Sequence, residues 1–383
     1  MSDRSSGRTS ESSEEAWNHL HPVAARFQLP GSVKAIRPLG HGNVNDTFLI
    51  LVEDGKGEHR FVLQRVNTEV FREPQLVMEN MLILGEHVDQ KLHSGLCTLA
   101  DRRWEVPRVV RARGSGDPWV EQEGSFWRTI TFLENCRSFD TTTDPTQGRE
   151  VGYGLAMFHN LVSDLPASAL ADTLAGFHIT PAYLAHYERV LETRSLPRGN
   201  EVEYGMAFVE KRRDFVPVLE RAKAEGKLTL RPIHGDPKIN NMMMDNQTGK
   251  VIGLVDLDTV KPGLIHYDIG DCLRSGCNRL GEEATDPNAV AFDMELCGAI
   301  LEGYLSVAHA FLSEDDYTYI FDSIRLIAFE LGLRFLTDHL AGNVYFKTAH
   351  PGQNLERALV QFRLTESIEA QESAIRAHIE RLR

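Results

Sequence analysis

The sequence predicts a bilobal α+β fold, with a small β-rich N-lobe followed by a larger, mainly helical C-lobe. Two observations support this prediction. Up to about residue 134, short runs of branched and aromatic residues alternate with turn residues, a pattern typical of strands. From residue 135 onward, apolar residues recur three and four positions apart, which indicates amphipathic helices.

Five runs in the N-terminal part have the composition of strands: Val33–Leu39, Thr47–Glu53, Arg60–Val66, Trp104–Val110 and Phe126–Leu133. The turn Asp54-Gly55-Lys56-Gly57 joins the second and third of them into a hairpin. One helix is expected over Glu73–Leu92, because Pro74 stands in its first turn, where proline is tolerated.

The C-terminal part begins with a helical stripe formed by Val151, Leu155, Phe158, Val162 and Leu165. Two short strands, Asn241–Asp245 and Lys250–Asp256, then form a hairpin. The longest helix is expected to start after Ser313, because a serine followed by three acidic residues is a typical helix start.

These patterns divide the chain into three parts. Residues 1–15 are polar and serine-rich, and we expect a disordered tail there. Residues 16–134 form the N-lobe and residues 135–383 the C-lobe. The first residues lack the apolar centre of a signal peptide, and no apolar run is long enough to span a bilayer.

The net charge and the cysteines indicate which partners and which compartment to expect. A net charge of −14 disfavours nucleic acid or an anionic membrane as the main partner, because phosphate-rich surfaces require a basic footprint. The cysteines are dispersed, without metal-ligand spacing: Cys97, Cys136, Cys272, Cys277 and Cys297. This set favours reduced thiols in the cytoplasm over a disulfide framework or a zinc site.

The most informative motif is the run RPIHGDPKINNMMMD at residues 231–245, followed by VIGLVDLD at residues 251–258. Asp236 and Asn241 stand five residues apart on one loop, and the predicted hairpin returns Asp256 to the same place. Phosphoryl transfer requires an oriented acceptor hydroxyl and divalent metal on the phosphates. A carboxylate serves the first need, an Asn oxygen with a second carboxylate serves the other, and Lys238 offsets phosphoryl charge.

The alternative is purely structural. His-Gly-Asp is a common tripeptide, an Asp-Pro pair often starts a turn, and Asp256 alone fits a strand-end cap. The ordered set of His-x-Asp, an Asn five positions later and an apolar strand ending in Asp is much rarer. The functional interpretation is therefore favoured.

The run HGDPKINN followed by GLVDLD resembles the catalytic and metal loops of the aminoglycoside phosphotransferase and choline kinase superfamily. Further runs resemble the bacterial N-acetylhexosamine 1-kinases within it: LGHGNVNDTFLI, FVLQRVN, FWRTITFLEN, DLDTVKPGLIHYDIGDCLRS, ELGLRFLTDHLAGNVYFKT and HPGQNLERA. The resemblance implies a protein-kinase-like fold, ATP as co-substrate with Mg²⁺, and a small sugar as acceptor.

The resemblance also assigns roles in the C-lobe. Asp236 matches the catalytic base, and Asn241 and Asp256 match the metal ligands. Asp258 follows two positions later in a strand-like stretch, so it is expected on the same side as Asp256, for metal or substrate; a structural hydrogen bond is the equal alternative. His234 is expected to brace the loop and Asp268 to anchor it.

In the N-lobe, Leu39, Gly40 and Gly42 resemble the glycine-rich turn over nucleotide phosphates, although a plain hairpin turn is the default interpretation. Asn45 replaces the last glycine of that pattern, and phosphate or sugar is its expected contact. A hinge that pairs with adenine is expected to follow at Phe132, Leu133 and Glu134.

The third strand departs from the superfamily, which usually has Lys or Arg where this chain has Gln64. Arg65 follows, but neighbours on a strand face opposite ways, so it does not simply replace Gln64. With Val62 these residues are expected at the ATP site. Glu79 on the next helix is the expected partner of a basic group, or else a solvated glutamate.

Acceptor recognition is expected near the C-terminus. Glu330, Arg334 and Asp338 are spaced i, i+4 and i+8, which also fits an exposed ion-pair ladder. The apolar surroundings of Arg334 argue against free solvent exposure. The resemblance implies that Arg334 and Tyr345 bind the acceptor, with Arg274 as a second candidate; structural roles remain the alternative.

The expected reaction is phosphorylation of the anomeric hydroxyl of N-acetylglucosamine or N-acetylgalactosamine. Kinases for aminoglycosides, choline, homoserine or another sugar are the nearest alternatives, but a cationic acceptor would need a carboxylate-lined or aromatic site. A non-catalytic protein that only binds a partner is the other alternative, and it would be expected to lack Asp236, Asn241 or Asp256.

Overall fold

The computed structural model describes residues 15–40, 44–95, 102–194 and 199–383. The predicted tail therefore lies outside the described residues except for Glu15, and so does Gly42. The chain divides into two compact units. The first contains the described residues up to Glu86 and Val106–Glu134, and the second contains His87–Glu105 and Asn135–Arg383.

The first unit is built on an antiparallel sheet. Its strands are β1 (Ser32–Pro38), β2 (Asp46–Asp54), β3 (Gly57–Val66), β4 (Val109–Val110), β5 (Val120–Gln122) and β6 (Ser125–Thr131). They are ordered β1-β2-β3-β6-β4, and β5 also pairs with β6. A short helix, α1 (His21–Ala24), precedes the sheet, and α2 (Pro74–His93) begins in this unit.

The sheet forms for the reason that the sequence suggests. Alternate branched and aromatic side chains of β2, β3 and β6 point to one face, where Ile50, Leu63 and Trp127 are buried together. The register pairs Gln64 of β3 with Arg128 of β6. A basic residue therefore lies beside Gln64, which stands where the superfamily usually has Lys or Arg.

The second unit is mainly helical. Its helices are α3 (Pro145–Val162), α4 (Thr180–Thr193), α5 (Asn200–Glu210), α6 (Val218–Ala224), α7 (Ile265–Gly276), α8 (Met294–Ala308), α9 (Glu314–Ala341), α10 (Gln353–Ala370) and α11 (Glu372–Leu382). Two small antiparallel sheets accompany them, one of β7 (Cys136–Arg137), β9 (Met242–Asp245) and β10 (Val251–Leu254), the other of β8 (Arg231–Ile233) and β11 (Lys261–Gly263).

The predicted α+β class, with an antiparallel sheet first and helices after it, is confirmed. Three predicted strands were too long: the predicted Lys250–Asp256 is Val251–Leu254, Phe126–Leu133 ends at Thr131, and the third is shorter still. Of Trp104–Val110, only Val109–Val110 is a strand, because Glu105 bonds through its amide to the carbonyl of Ile252 in the second unit. None of the helices in the described ranges is long and apolar enough to cross a membrane.

Helix α9 is the longest element and starts as predicted. Ser313 accepts a hydrogen bond from the amide of Asp316, and Asp316 accepts one from the amide of Ser313, forming a capping box. The Asp316 carboxylate also accepts a bond from Arg231 Nη2 at 2.7 Å. The start of α9 is thereby attached to β8, the strand that leads into the catalytic motif.

Helix α7 packs against α9 at very close range. A Cβ atom at Gly270 would lie 2.6 Å from the carbonyl oxygen of Ser323 and 2.7 Å from Cγ1 of Ile327. Only glycine permits this approach, so Gly270 sets the position of α7 and of the polar residues that α7 carries.

We predict that Gly270→Ala lowers the free energy of unfolding by about 1–3 kcal/mol, the usual cost of overpacking a close contact. Gly148→Ala is the matched control, because a Cβ there would meet its nearest neighbour at 3.4 Å, an ordinary contact. Helix propensity then favours the control variant by up to about 1 kcal/mol. Urea unfolding followed by circular dichroism measures both; equal stability of wild type and Gly270→Ala would contradict the close packing.

Candidate active site

Asp268 on α7 fixes the start of the catalytic loop. Its fully buried carboxylate accepts hydrogen bonds from the amides of His234 at 2.7 Å and Gly235 at 2.8 Å. His159 donates a third bond at 2.9 Å. Burial alone would raise the pKa of Asp268, but these donors hold it below its ordinary value, so the anchor is a carboxylate. The predicted anchoring role agrees with this geometry.

His234 contributes its backbone and ring to the loop. Its Nδ1 accepts from the amide of Asp236 at 3.3 Å, so the proton must be on Nε2, which donates to the carbonyl of Val255 at 3.0 Å. Burial lowers the pKa of His234 below its ordinary value despite nearby carboxylates. The ring is therefore a neutral brace, as the sequence suggested, and it also connects the loop to the end of β10.

A second brace was missed in the sequence. His178 Nε2 donates to the carbonyl of Gly235 at 2.7 Å, and Nδ1 pairs with Glu330 of α9 at 2.9 Å. Both nitrogens face acceptors, so the imidazole is protonated. Burial opposes this charge, but Glu330 and the Gly235 carbonyl raise the pKa of His178. Its left-handed backbone, at φ +63°, is the kind of local strain found at functional sites.

Asp236 stands at the centre of this loop. Lys238 Nζ donates to its Oδ2 at 2.7 Å, and Asn241 Nδ2 donates to its carbonyl at 2.7 Å. Burial works against the charge of Lys238, but Asp236 and Asp256 raise its pKa, so the amine stays protonated. The predicted trio of base, lysine and asparagine is brought together.

Asp256 reaches the same place through the hairpin. The amide of Val255 donates to the carbonyl of Asn241 at 2.9 Å, and Asp256 then adopts a left-handed conformation with φ +64°. Because its Nδ2 bonds to Asp236, Asn241 turns its amide oxygen away from that bond. An amide oxygen and carboxylates are the hard oxygen ligands that Mg²⁺ prefers, so Asn241 and Asp256 fit a magnesium site.

Asp258 is placed differently from the prediction. The strand ends at Leu254, and Asp258 lies buried in the 3₁₀ turn Leu257–Thr259. Strand alternation therefore does not place it beside Asp256, and that part of the sequence argument was wrong. Its role toward metal stays a prediction.

Arg334 on α9 is surrounded by aromatic rings. Its guanidinium carbon lies 5.0–5.8 Å from four ring centroids, those of Phe177, Tyr183, Tyr345 and Phe346. Burial opposes its charge, while Tyr183, Tyr345, Glu330 and Asp236 raise its pKa. No carboxylate within the described ranges forms an ion pair with Arg334. The charge of Asp236 acts on it, so the predicted acceptor residue lies near the base.

The i, i+4, i+8 ladder of α9 is not an ion-pair ladder. Glu330 bonds to His178 and Thr180, and Asp338 bonds to the following loop. The Asp338 carboxylate accepts from the amides of Val344, Tyr345 and Phe346 at 2.8–3.0 Å. This clamp holds Tyr345, which is 54% exposed, over Arg334.

Arg274, the second predicted acceptor residue, is already paired. Its Nε and Nη2 both donate to Oδ1 of Asp271, at 2.9 and 2.7 Å, and Nη1 donates to Glu282 at 2.6 Å. Only 3% of Arg274 is exposed. The geometry makes Arg274 the support of Asp271, and direct contact with an acceptor stays a prediction.

The predicted nucleotide residues lie in the first unit. Leu39 continues the ladder by bonding to the carbonyl of Thr47 at 2.9 Å, and Gly40 has a φ of +68°. Asn45 is buried, and its Oδ1 accepts from the amide of Asn67 at 2.9 Å. Gly42 lies outside the described residues.

Gln64 does not replace a basic residue by itself. Its amide donates to Thr47 at 3.1 Å and accepts from Arg128 Nε at 2.8 Å. Arg65 points the other way and pairs with Asp46. Arg128 is therefore a buried cation beside Gln64, and it could not be found from the sequence because the pairing depends on the register of β3 and β6.

The other residues of this unit that were predicted at the nucleotide site are Val62, Glu79, Phe132, Leu133 and Glu134. Val62 and Leu133 are buried. Glu134 pairs with Arg60 at 2.6 Å, and Arg60 also lies over the ring of Phe132. Glu79 is exposed and has no ion pair with any described residue, which fits a solvated glutamate better than a partner of Arg65.

The chain belongs to the phosphotransferase enzyme family, whose model matches residues 35–304. Solved structures show a similar fold. The microcompartment-associated aminopropanol kinase has a TM-score of 0.62 at 16% identity, with 94% of this chain and 98% of that one covered. An aminoglycoside phosphotransferase from Alicyclobacillus acidocaldarius has 0.56 at 17%, covering 94% and 95%. The choline kinase of Cryptosporidium parvum has 0.52 at 14%, covering 91% of each chain. The predicted superfamily fold is confirmed.

One curated relative is named for a different activity. An alanine racemase from Listeria monocytogenes is 23% identical over an alignment of 243 residues, and the match covers 57% of this chain and 64% of that protein. The chain thus spans less than two thirds of the racemase, and identity this low carries no argument for a shared activity. The family match stands, but it ends at residue 304, before Arg334 and Tyr345.

We predict that Asp236→Asn lowers kcat by roughly 10²–10⁴-fold, because the loop keeps its geometry and loses the proton acceptor. Circular dichroism and thermal unfolding should match the wild type, since the amide preserves volume and can still accept from Lys238. Near-normal turnover, measured as ADP release, would show that Asp236 is not the proton acceptor of the reaction.

A second prediction concerns pH. The raised pKa of His178 means that its pair with Glu330 stabilises the fold fully below pH 6.5, and that this contribution is lost as the pH rises through the folded pKa. The difference in unfolding free energy between wild type and His178→Asn should therefore shrink above pH 6.5, by at most about 1.4 kcal/mol per pH unit. Asn tolerates the left-handed backbone.

The control for this pH series is His186→Asn, which changes an exposed histidine of α4. Its unfolding free energy should follow the wild type at every pH. A difference between wild type and His178→Asn that stays constant from pH 5 to 9 would contradict the protonated pair.

Proposed function

We propose that the protein is an ATP- and Mg²⁺-dependent kinase that phosphorylates the anomeric hydroxyl of an N-acetylhexosamine, N-acetylglucosamine or N-acetylgalactosamine. The observation that carries the proposal is the pairing of a complete phosphoryl-transfer loop with an arginine that has no carboxylate partner among the described residues. The loop supplies the reaction, and Arg334 supplies donors for a neutral, oxygen-rich acceptor.

The loop residues suit the reaction. Asp236 orients the acceptor hydroxyl and takes its proton as the oxygen attacks the γ-phosphorus. The bond from that phosphorus to the β–γ bridging oxygen breaks, and ADP leaves. An anomeric hydroxyl is more acidic than an ordinary alcohol, so the demand on Asp236 is modest. Lys238 is protonated and offsets charge on the phosphoryl group.

Asn241 and Asp256, with Asp258 as a further candidate, are the proposed ligands of Mg²⁺. The metal would neutralise the phosphate oxygens when bound. For ATP we propose the residues of the first unit: Leu39, Gly40, Gly42, Val62, Gln64, Arg65, Glu79, Phe132, Leu133 and Glu134. Residues 16–134 are thus the proposed nucleotide-binding lobe and residues 135–383 the catalytic lobe of an enzyme in the cytoplasm.

The charges support a neutral acceptor. A quaternary ammonium acceptor such as choline would need an empty aromatic cage, but the rings of Phe177, Tyr183, Tyr345 and Phe346 already surround Arg334. A polycationic aminoglycoside would meet the uncompensated charge of Arg334. Hydroxyl and N-acetyl oxygens, in contrast, accept hydrogen bonds from a guanidinium.

We predict that purified protein with ATP and Mg²⁺ releases ADP with N-acetylglucosamine or N-acetylgalactosamine, and that the product loses its reducing end. Choline, ethanolamine, 1-amino-2-propanol, homoserine and an aminoglycoside are tested in parallel. Loss of the reducing end occurs only if the anomeric oxygen carries the phosphate. ADP release with an amino alcohol alone, or a product that still reduces, would overturn the sugar assignment.

Arg334→Met is the matched variant for this assay, because it keeps the contacts with the rings and removes the charge and the donors. The KM for the sugar should rise about 10–100-fold, the range for losing one or two hydrogen bonds to a charged group. The KM for ATP should not change. Equal increases of both constants would indicate a general structural defect.

A further inference from the structure

A second acidic residue lies along the same stripe of α7 as Asp268. Asp268, Asp271 and Ser275 are spaced i, i+3 and i+7, so they share one face of the helix. Asp268 binds the amides of residues 234 and 235, and Ser275 Oγ accepts from the amide of Ile239 at 3.2 Å. The intermediate position places Asp271 beside the part of the loop that carries Asp236.

The two oxygens of Asp271 have different surroundings. Oδ1 receives both hydrogen bonds from Arg274. Oδ2 is buried and has no hydrogen-bond partner in the part of the chain that the structure describes. Asp271 as a whole is 5% exposed. A buried carboxylate oxygen without a donor is costly and rare, so this atom calls for an explanation.

The neighbouring donor groups of the chain each have another acceptor. Lys238 bonds to Asp236, the third nitrogen of Arg274 bonds to Glu282, and both ring nitrogens of His178 have acceptors. Burial raises the pKa of Asp271 above its ordinary value, and the charge of Asp236 adds to the increase while Arg274 opposes it. No described side chain donates to Oδ2, so a bound molecule is the donor that we consider for it.

We propose that Asp271 Oδ2 accepts a hydrogen bond from the acceptor substrate, at a hydroxyl or N–H group other than the one that is phosphorylated. Asp271 is then a specificity-determining residue, and Arg274 and Glu282 are positioning residues that fix its carboxylate. The proposal rests on the phosphoryl-transfer function given above, but it does not depend on which acceptor is used.

The nearby groups match a ligand that both donates and accepts hydrogen bonds. Arg334 offers donors and has no ion pair with a described carboxylate, and Asp271 Oδ2 offers an acceptor. The ligand group that fits is a hydroxyl or amide of a polyhydroxylated acceptor, with Arg334 and Asp271 serving its acceptor and donor atoms respectively.

The test compares wild type with Asp271→Asn. Asparagine can keep its oxygen on Arg274 and replaces Oδ2 with an NH₂ group, which cannot accept. We expect the KM for N-acetylglucosamine to rise about 10–100-fold, with kcat within a few-fold and the KM for ATP unchanged. With wild type, kcat/KM for one of the 3-, 4- and 6-deoxy analogues should be lower than for N-acetylglucosamine by a similar factor. With Asp271→Asn, removal of that hydroxyl should cause no further loss.

Glu283→Gln is the control, because Glu283 is a neighbouring exposed carboxylate that pairs with Arg357, so its loss leaves the Arg274–Asp271 pair intact. It should keep the wild-type profile across the deoxy series. An unchanged KM in Asp271→Asn, or the same loss for every analogue in both variants, would overturn the proposal. If only 1-amino-2-propanol or another amino alcohol is turned over, the sugar function is wrong, and the KM for that acceptor then decides whether Asp271 binds it.

Discussion

The buried carboxylate of Asp268 is the interaction on which the catalytic loop depends. It satisfies two consecutive amides of the loop, and each would cost about 1–3 kcal/mol if it were left buried without a partner. His159 donates to the same carboxylate oxygen as the amide of His234 and is itself bonded to Tyr304 at 2.9 Å. Gly270 sets the depth at which α7 can present Asp268, because α9 leaves no room for a Cβ there.

The loop is held from two directions, so the residue before Asp236 has little freedom. Asp268 binds the N–H of Gly235 and His178 binds its carbonyl. A Cβ at Gly235 would lie 2.6 Å from the carbonyl oxygen of Thr259, and φ is +86°, so glycine is required. In the proposed reaction, this fixation would hold Asp236 in place without reorganisation during phosphoryl transfer.

Local sequence rules predicted the parts that depend on local order. The hairpin after Asn241, the cap at Ser313 and the spacing of Asp236, Asn241 and Asp256 all follow from residues near one another in the chain. The rules were less informative where pairing depends on tertiary packing. Arg128 binds Gln64 across a strand register, and His178 binds Glu330 over 152 positions.

The same limitation explains the acidic and basic residues of α9 and α7. Spacing alone makes Glu330, Arg334 and Asp338 look like an ion-pair ladder, and it makes Arg274 look available. In the fold Glu330 binds His178, and Asp338 binds the amides of the Tyr345 loop. Arg334 is thus left without an ion pair among the described residues, while Arg274 is neutralised by Asp271 and Glu282.

Helix α9 therefore contributes both to the support of the Asp236 loop and to the proposed acceptor site. Glu330 braces the loop through His178, and Arg334 stands one helical turn later, within the electrostatic influence of Asp236. Because one rigid helix carries both residues, helical geometry fixes the distance between Glu330, which braces the Asp236 loop through His178, and Arg334, the proposed acceptor residue. Under the proposed function, a change of acceptor can then arise from Arg334 and the loop after it, which lie beyond the family match, without disturbing the residues proposed to transfer the phosphoryl group.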